Sequence, residues 1–197
     1  MVIGERFAWA HLPKTAGMAT TALFRLFPEL IVFQDLDHNN DKHTHFRERR
    51  DQVSGKVLAM NLRRLPFWVL SRAQYVARWG IHPDYTPIPM DSPRKLSESG
   101  FPDTRLALFT DDDRFTIDRW IRMESLGDDF LSFISEWTDV SPEREQQVRG
   151  LAPVNALEYD HDITSWFTQD HIAAMYRNNP RWAAIEQRLY GSLFELE

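Results

Sequence analysis

The chain has 197 residues, enough for one domain with a sizeable core, and its 43% hydrophobic and 26% charged contents are those of a soluble globular protein. It contains no cysteine, which excludes disulfides, thiolate metal sites and cysteine nucleophiles. The net charge of −6 argues against a nucleic-acid binder, and no apolar run reaches membrane-spanning length.

The N-terminal stretch MVIGERFAWAHLPK carries charges at Glu5 and Arg6 and lacks a long apolar core. It does not read as a signal peptide, and a cytoplasmic location is expected. Phe7-Ala8-Trp9-Ala10 has the character of a buried strand, which Pro13 ends because it offers no N–H to a ladder. A tight loop follows, Lys14-Thr15-Ala16-Gly17, and then helical spacing at Ala19, Ala22, Leu23, Leu26 and Phe27. Strand, small-residue loop and helix in that order aim unpaired N–H groups at one point, where the helix dipole favours an anion. Lys14 adds a full positive charge, so the stretch reads as a cradle for a phosphate-type or sulfate-type anion. The ATP and GTP loop places its lysine after its glycines. Here Lys14 precedes Gly17, and no glycine stands between Gly4 and Gly17, so that loop does not fit.

Further on, Leu30-Ile31-Val32-Phe33 predicts a second buried strand, and Gln34 to Lys42 a polar loop. Asp35, Asp37, Asn39 and Asp41 alternate as in a calcium loop, but Asn40 and Phe46 stand where its glycine and bidentate glutamate belong. His43 to Val53 predicts a short exposed helix, and Lys56 to Leu62 a third strand. Pro66 suits the first turn of a helix with an apolar stripe at Phe67, Leu70, Ala73 and Ala77, ended by Gly80. Ile81 to Pro102, rich in proline and serine, predicts a long irregular excursion, a lid or acceptor loop. Asp111-Asp112-Asp113 marks a turn, with a strand in Phe115 to Met123. Ser125 and Asp128 have capping-box spacing ahead of a helix bearing Phe130, Leu131, Phe133, Ile134 and Trp137. Ser141-Pro142 opens another helix that Gly150 closes, and Thr168 caps one carrying Ile172 and Tyr176. Asn179-Pro180 breaks it, and Trp182, Ile185, Leu189 and Leu193 form the last stripe. Strands come early and helices late, which indicates an α/β layer structure.

Pro13-Lys14-Thr15-Ala16-Gly17, followed by small and hydroxyl residues, resembles the 5′-phosphosulfate loop of the sulfotransferases. Those enzymes use 3′-phosphoadenosine 5′-phosphosulfate (PAPS) as sulfuryl donor. The resemblance implies an α/β fold with a P-loop-like central parallel sheet flanked by helices and a helix-rich C-terminal half, as one domain over residues 1–197. It implies that Lys14, Thr15, Ala16, Gly17, Met18, Ala19 and Thr20 hold the donor's 5′ end, with hydroxyl donation from Thr15 and Thr20. In that family a second grip, on the 3′-phosphate, is R-x-P followed by a helix and a serine eight residues after the arginine. Arg63 and Ser71 have that spacing, although Pro66 lies three residues after Arg63 rather than two; Arg64 fits R-x-P but leaves the serine one position short. Arginine suits the task through paired donors matched to phosphate oxygens.

Two further stretches resemble the family: Asp118 to Phe130, and Val154 to Gly191 with its W-F-T helix start and N-P-R-W, where Asn155 is expected to close over the donor. The acceptor hydroxyl needs a general base, for which His43 is the first candidate, with Asp35, Asp37, His38 and His45 open beside it. The acceptor is expected to be a sugar or small molecule, with no metal, nucleic acid or membrane involved and the oligomeric state left open. His43-Thr44-His45 lacks a third metal ligand at ordered spacing, and Asp160-His161-Asp162 lacks a G-x-S-x-G partner. The rival readings are a non-catalytic module binding 3′-phosphoadenosine or another anion, and a nucleotide kinase, which the lysine order disfavours.

Overall fold

The structure, a computed structural model, describes residues 1–35, 43–79, 93–110, 116–154 and 158–196. Asp37, His38, Asp41, Gly80, Asp111-Asp112-Asp113 and Asn155, with most of the expected excursion, lie outside the described residues. The chain is α/β and forms two compact units, Met1–Leu62 with Leu108–Asn155, and Arg63–Ala107 with Ala156–Glu197.

The first unit holds a five-stranded sheet: β1 (Val2–Ile3), β2 (Phe7–Ala10), β3 (Phe33–Gln34), β4 (Val57–Leu62) and β5 (Arg119–Arg122), in the order β3-β1-β2-β4-β5. The pairs β2–β4 and β4–β5 are parallel, as expected, with Ala10 opposite Met60 and Leu62 opposite Arg122. The sheet as a whole is mixed, because β1 runs antiparallel to both β2 and β3. The β1–β2 hairpin is closed by Gly4 N–H donating to the Phe7 carbonyl at 2.9 Å, and a Cβ at Gly4 would stand 2.5 Å from the Phe7 ring.

Phe7 to Ala10 is buried along its whole length, as a central parallel strand must be. Helix α1 (Gly17–Phe24) covers it through Thr20, Leu23 and Phe24. Phe24 meets Phe7 at 5.8 Å between ring centroids and Phe130 edge-on at 5.1 Å. The second strand differs from expectation: Pro28–Leu30 winds into a 3-10 turn, β3 begins only at Phe33, and Val32 is 68% exposed. Proline at the first position of the turn favours winding over extension. His43 to Val53 is less exposed than its charges suggest. A 3-10 turn (Phe46–Arg49) leads into α2 (Arg50–Val53), and Phe46 and Val53 are buried.

Helices α6 (Leu126–Ile134) and α7 (Pro142–Arg149) complete this unit. The α6 face of Phe130, Phe133 and Ile134 joins the core with Leu131 and Trp137 beside it, as the spacing predicts. The expected capping box is absent: Ser125 ends a 3-10 turn (Met123–Ser125) and its side chain makes no cap bond. Asp129 instead binds the Arg122 N–H at 2.8 Å and its guanidinium at 2.7 and 2.8 Å. Ser141 does cap α7, accepting from the Arg144 N–H.

The second unit is helical: α3 (Leu65–Trp79), α4 (Pro93–Ser97), α5 (Phe101–Thr110, whose last residues belong to the first unit), α8 (Gln169–Asn178) and α9 (Pro180–Tyr190). The described end of the expected excursion is helical at Pro93–Ser97 and again from Phe101, with Leu96 anchored in the core. Of the expected stripe on α3, Leu70 and Ala73 are buried, Phe67 is half-buried and Ala77 is exposed; Leu65, Trp68, Val69, Arg72 and Val76 are buried beside them, so the buried face is wider than the spacing predicts. Trp68 widens that face by packing on Trp182 at 5.1 Å and Phe101 at 6.3 Å. Thr168 caps α8 in a full capping box with His171. Asp103 caps α9, accepting from the Arg181 and Trp182 N–H groups at 2.8 Å each, while Asn179 Oδ1 accepts from the Asp103 N–H at 3.0 Å. Leu193 lies beyond the end of α9. Among the described residues no helix is long and apolar enough to cross a membrane.

Candidate functional site

The loop between β2 and α1 is built from inside the sheet. Thr15 Oγ1 donates back to the Leu12 carbonyl at 2.7 Å, and Thr15 is fully buried. Asn61, a polar residue in the apolar strand β4, is also fully buried. Its Nδ2 donates to the Thr15 carbonyl at 2.9 Å and to Thr20 Oγ1 at 2.7 Å, and its Oδ1 accepts from Trp9 Nε1 at 2.6 Å. Thr20 Oγ1 in turn donates to the Ala16 carbonyl at 3.1 Å. The hydroxyl protons of Thr15 and Thr20 are thus spent inside the loop, contrary to the expectation that they point to a ligand. What they supply is the loop's shape.

That shape is strained. Lys14 has φ 71° and Ala16 has φ 66°, left-handed conformations that cost a residue with a Cβ about 1 kcal/mol or more each. Ala16 is the residue before α1, its side chain gives no cap, and the first turn contains no acidic residue. The N–H groups of Gly17, Met18 and Ala19 have no intrahelical acceptor, since the first such bond runs from the Thr20 N–H to the Ala16 carbonyl at 2.9 Å. A left-handed residue followed by a right-handed one makes successive N–H groups converge into a nest that suits an anion. Lys14, Met18 and Ala19 are half-buried around it.

Gly17 is required here by contact. A Cβ on it would fall 2.0 Å from Cδ2 of His11, whose ring lies against the first residue of the helix. The His11 ring is stacked on Trp9 at 5.1 Å and meets the His43 ring edge-on at 4.7 Å. The sequence candidate His43 therefore stands beside the loop, reached through His11. The other described candidates are engaged elsewhere. Asp35 Oδ2 takes the Met1 amino group at 2.7 Å and its Oδ1 takes Arg49 at 3.1 Å. His45 Nδ1 lies 2.6 Å from Glu48 Oε1, with its ring edge-on to Phe109 at 4.6 Å.

Arg63, Arg64 and Ser71 belong to the second unit. Arg64 is committed: its guanidinium donates to Glu186 Oε1 at 3.2 Å and the Ser192 carbonyl at 3.0 Å, and lies over Tyr190 at 4.3 Å. Glu186 is fully buried, accepts the Leu65 N–H at 2.8 Å at the start of α3, and accepts the Tyr176 hydroxyl at 2.6 Å. Burial pushes the Glu186 carboxyl up from its ordinary range, against the opposing pull of Tyr176, Leu65 and Arg64. Burial, with Glu186 beside it, also pushes the Tyr176 hydroxyl up. Arg63 is half-buried, and its carbonyl accepts from Trp182 Nε1 at 3.1 Å. Of the two arginines it is the one whose guanidinium has no ion-pair partner among the described residues. Ser71 lies on α3 and is 5% exposed.

Sequence reasoning missed His11 and Asn61. Asn61 had a signal, a lone amide inside the apolar run VLAMNL, since a polar group in a buried strand must be satisfied by something specific. His11 had none beyond its place three residues before Lys14. No protein-family model matches the chain, and comparisons with curated proteins and with solved structures find no match.

Proposed function

We propose that this chain is a PAPS-dependent sulfotransferase acting on a hydroxyl acceptor, a sugar or a small molecule. The observation that carries the reading is the uncapped start of α1, where convergent N–H groups adjoin Lys14 and an imidazole pair. Sulfuryl transfer asks for in-line positioning and charge neutralisation more than for covalent chemistry. Lys14 and the N–H groups of Ala16 to Ala19 neutralise charge on the oxygen that bridges sulfur and the 5′-phosphate. As the acceptor oxygen bonds to sulfur and the bridging bond breaks, His43 takes the acceptor's proton, and adenosine 3′,5′-diphosphate leaves. Arg63 and Ser71 hold the 3′-phosphate; the engagement of Arg64 with Glu186 favours Arg63 for this role.

The test is calorimetric titration with adenosine 3′,5′-diphosphate, AMP and ATP. Wild type is expected to prefer the 3′,5′-diphosphate. Lys14→Ala and Arg63→Ala should each weaken it roughly tenfold to a hundredfold, the worth of hydrogen bonds to a charged group. Absence of any preference for the 3′-phosphate overturns the reading. A non-catalytic module for 3′-phosphoadenosine is the second reading, favoured by the engagement of Asp35 and His45, which leaves His43 as the described candidate base. A PAPS turnover screen in which His43→Ala is as active as wild type would favour a base elsewhere. No turnover with any hydroxyl acceptor, despite selective binding, would favour the module.

A further inference from the structure

We infer that Asn61 is the positioning residue of the Lys14 loop, the group that holds the loop in its anion-receiving form. The inference rests on the anion-site reading above and names a residue outside the motif that suggested it.

Three bonds carry it. The Asn61 amide touches the strand before the loop through Trp9, the loop itself through the Thr15 carbonyl, and the helix after it through Thr20, all at 2.6–2.9 Å. Each partner lies more than 40 residues away in the chain, so the bonds fix tertiary geometry rather than a local turn. The bond to Thr15 has a directional consequence. In a planar trans peptide the carbonyl and the following N–H point in opposite directions. Turning the Thr15 carbonyl inward to Asn61 therefore turns the Ala16 N–H away from Asn61. Lys14 and Ala16 then occupy left-handed conformations that neither side chain favours. Such conformations persist only where surrounding groups over-determine them, and Asn61, fully buried and bonded to the loop's centre, supplies that constraint.

Asn61→Asp tests this at constant shape. It replaces the two N–H donors with an oxygen facing the Thr15 carbonyl and the Thr20 hydroxyl, so the Thr15–Ala16 peptide is pushed to rotate. Titrated with adenosine 3′,5′-diphosphate, Asn61→Asp is expected to bind at least tenfold more weakly than wild type. Measured in an Ala16→Gly background, Asn61→Asp should cost less affinity than it does in wild type, because glycine adopts the left-handed conformation unaided. A purely structural Asn61 would lower thermal stability and leave the affinity of the folded fraction unchanged. That outcome, or a loss just as large in the Ala16→Gly background, overturns the inference. If Asn61→Asp does not fold, Thr20→Val removes one of the three bonds and should weaken binding about threefold; no change would count against the inference. If wild type binds no 3′,5′-diphosphate, the sulfotransferase reading fails separately. Asn61 is then decided by the backbone carbon shifts of Lys14 and Ala16, which should leave left-handed values in Thr20→Val or Asn61→Asp; unchanged shifts overturn it.

Discussion

Helices α1 and α3 each start directly after a parallel strand and each must dispose of unpaired N–H groups, yet they do so in opposite ways. At α3 the chain supplies its own anion: Glu186 reaches from α9 to the Leu65 N–H and binds Arg64 and the Tyr176 hydroxyl as well. At α1 the chain supplies shape without a cap, because Asn61, Thr15 and Thr20 spend their hydrogen bonds on the loop's inner side. The first end is sealed by a side chain from elsewhere in its unit, and the second is held in shape from its inner side. The difference separates a helix start capped at a distance from one shaped by the strand beside it.

The comparison breaks most readily at Glu186. Glu186→Ala takes their carboxylate acceptor from a half-buried guanidinium, a buried backbone N–H and a buried phenol, and should cost about 3 kcal/mol in urea denaturation. A loss under about 1 kcal/mol would mean that the seal at α3 is not structural. Gly17→Ala drives a methyl into the His11 ring and should cost roughly 1–3 kcal/mol, with displacement of the His11 and His43 imidazole signals in NMR spectra. If those signals stay put, the ring does not line the helix start as described. Ala16→Gly should stabilise the fold by about 1 kcal/mol, read as a raised denaturation midpoint, by relieving left-handed strain. A decrease would show that the loop carries no such strain.

The smallest effect is in pH. Because the folded-state pKa of Glu186 is raised, the folded chain binds more protons than the unfolded one between the ordinary carboxylate range and the raised value. Its contribution to stability is therefore fully present below the ordinary range and is lost as pH rises through the raised value. Denaturation midpoints across this window should fall with rising pH more steeply in wild type than in Glu186→Gln. Equal slopes would place the Glu186 carboxyl in its ordinary range.

What could be read in advance follows how local its cause is. The strand Phe7–Ala10, the loop at Lys14 and the caps at Ser141 and Thr168 are dictated by adjacent residues, and they stand where the spacing put them. The strand β1 has only two residues, too few for any period, and exists because the hairpin through Gly4 pairs it with β2. The stripe of α3 was legible at Leu70 and Ala73, but not the burial of Trp68, which depends on Trp182 far along the chain. Arg63 and Arg64 could not be separated by spacing; the partner that separates them, Glu186, is 122 residues from Arg64. For the same reason the loop's lysine and glycine were legible while Asn61, 46 residues from Thr15, was only a lone amide in a strand.

The chain path has a consequence for how the protein is made. Each compact unit is assembled from two separate stretches, with Arg63–Ala107 synthesised before the first unit's Leu108–Asn155. A nascent chain therefore cannot finish either unit in order of synthesis. The sheet must wait for β5, and Trp68 stays without Trp182 until more than a hundred further residues have been translated. Such interleaving makes folding slow and late, with apolar helix faces exposed while the ribosome is still at work. Truncation anywhere within α8 or α9 should leave an aggregating product rather than a smaller working protein.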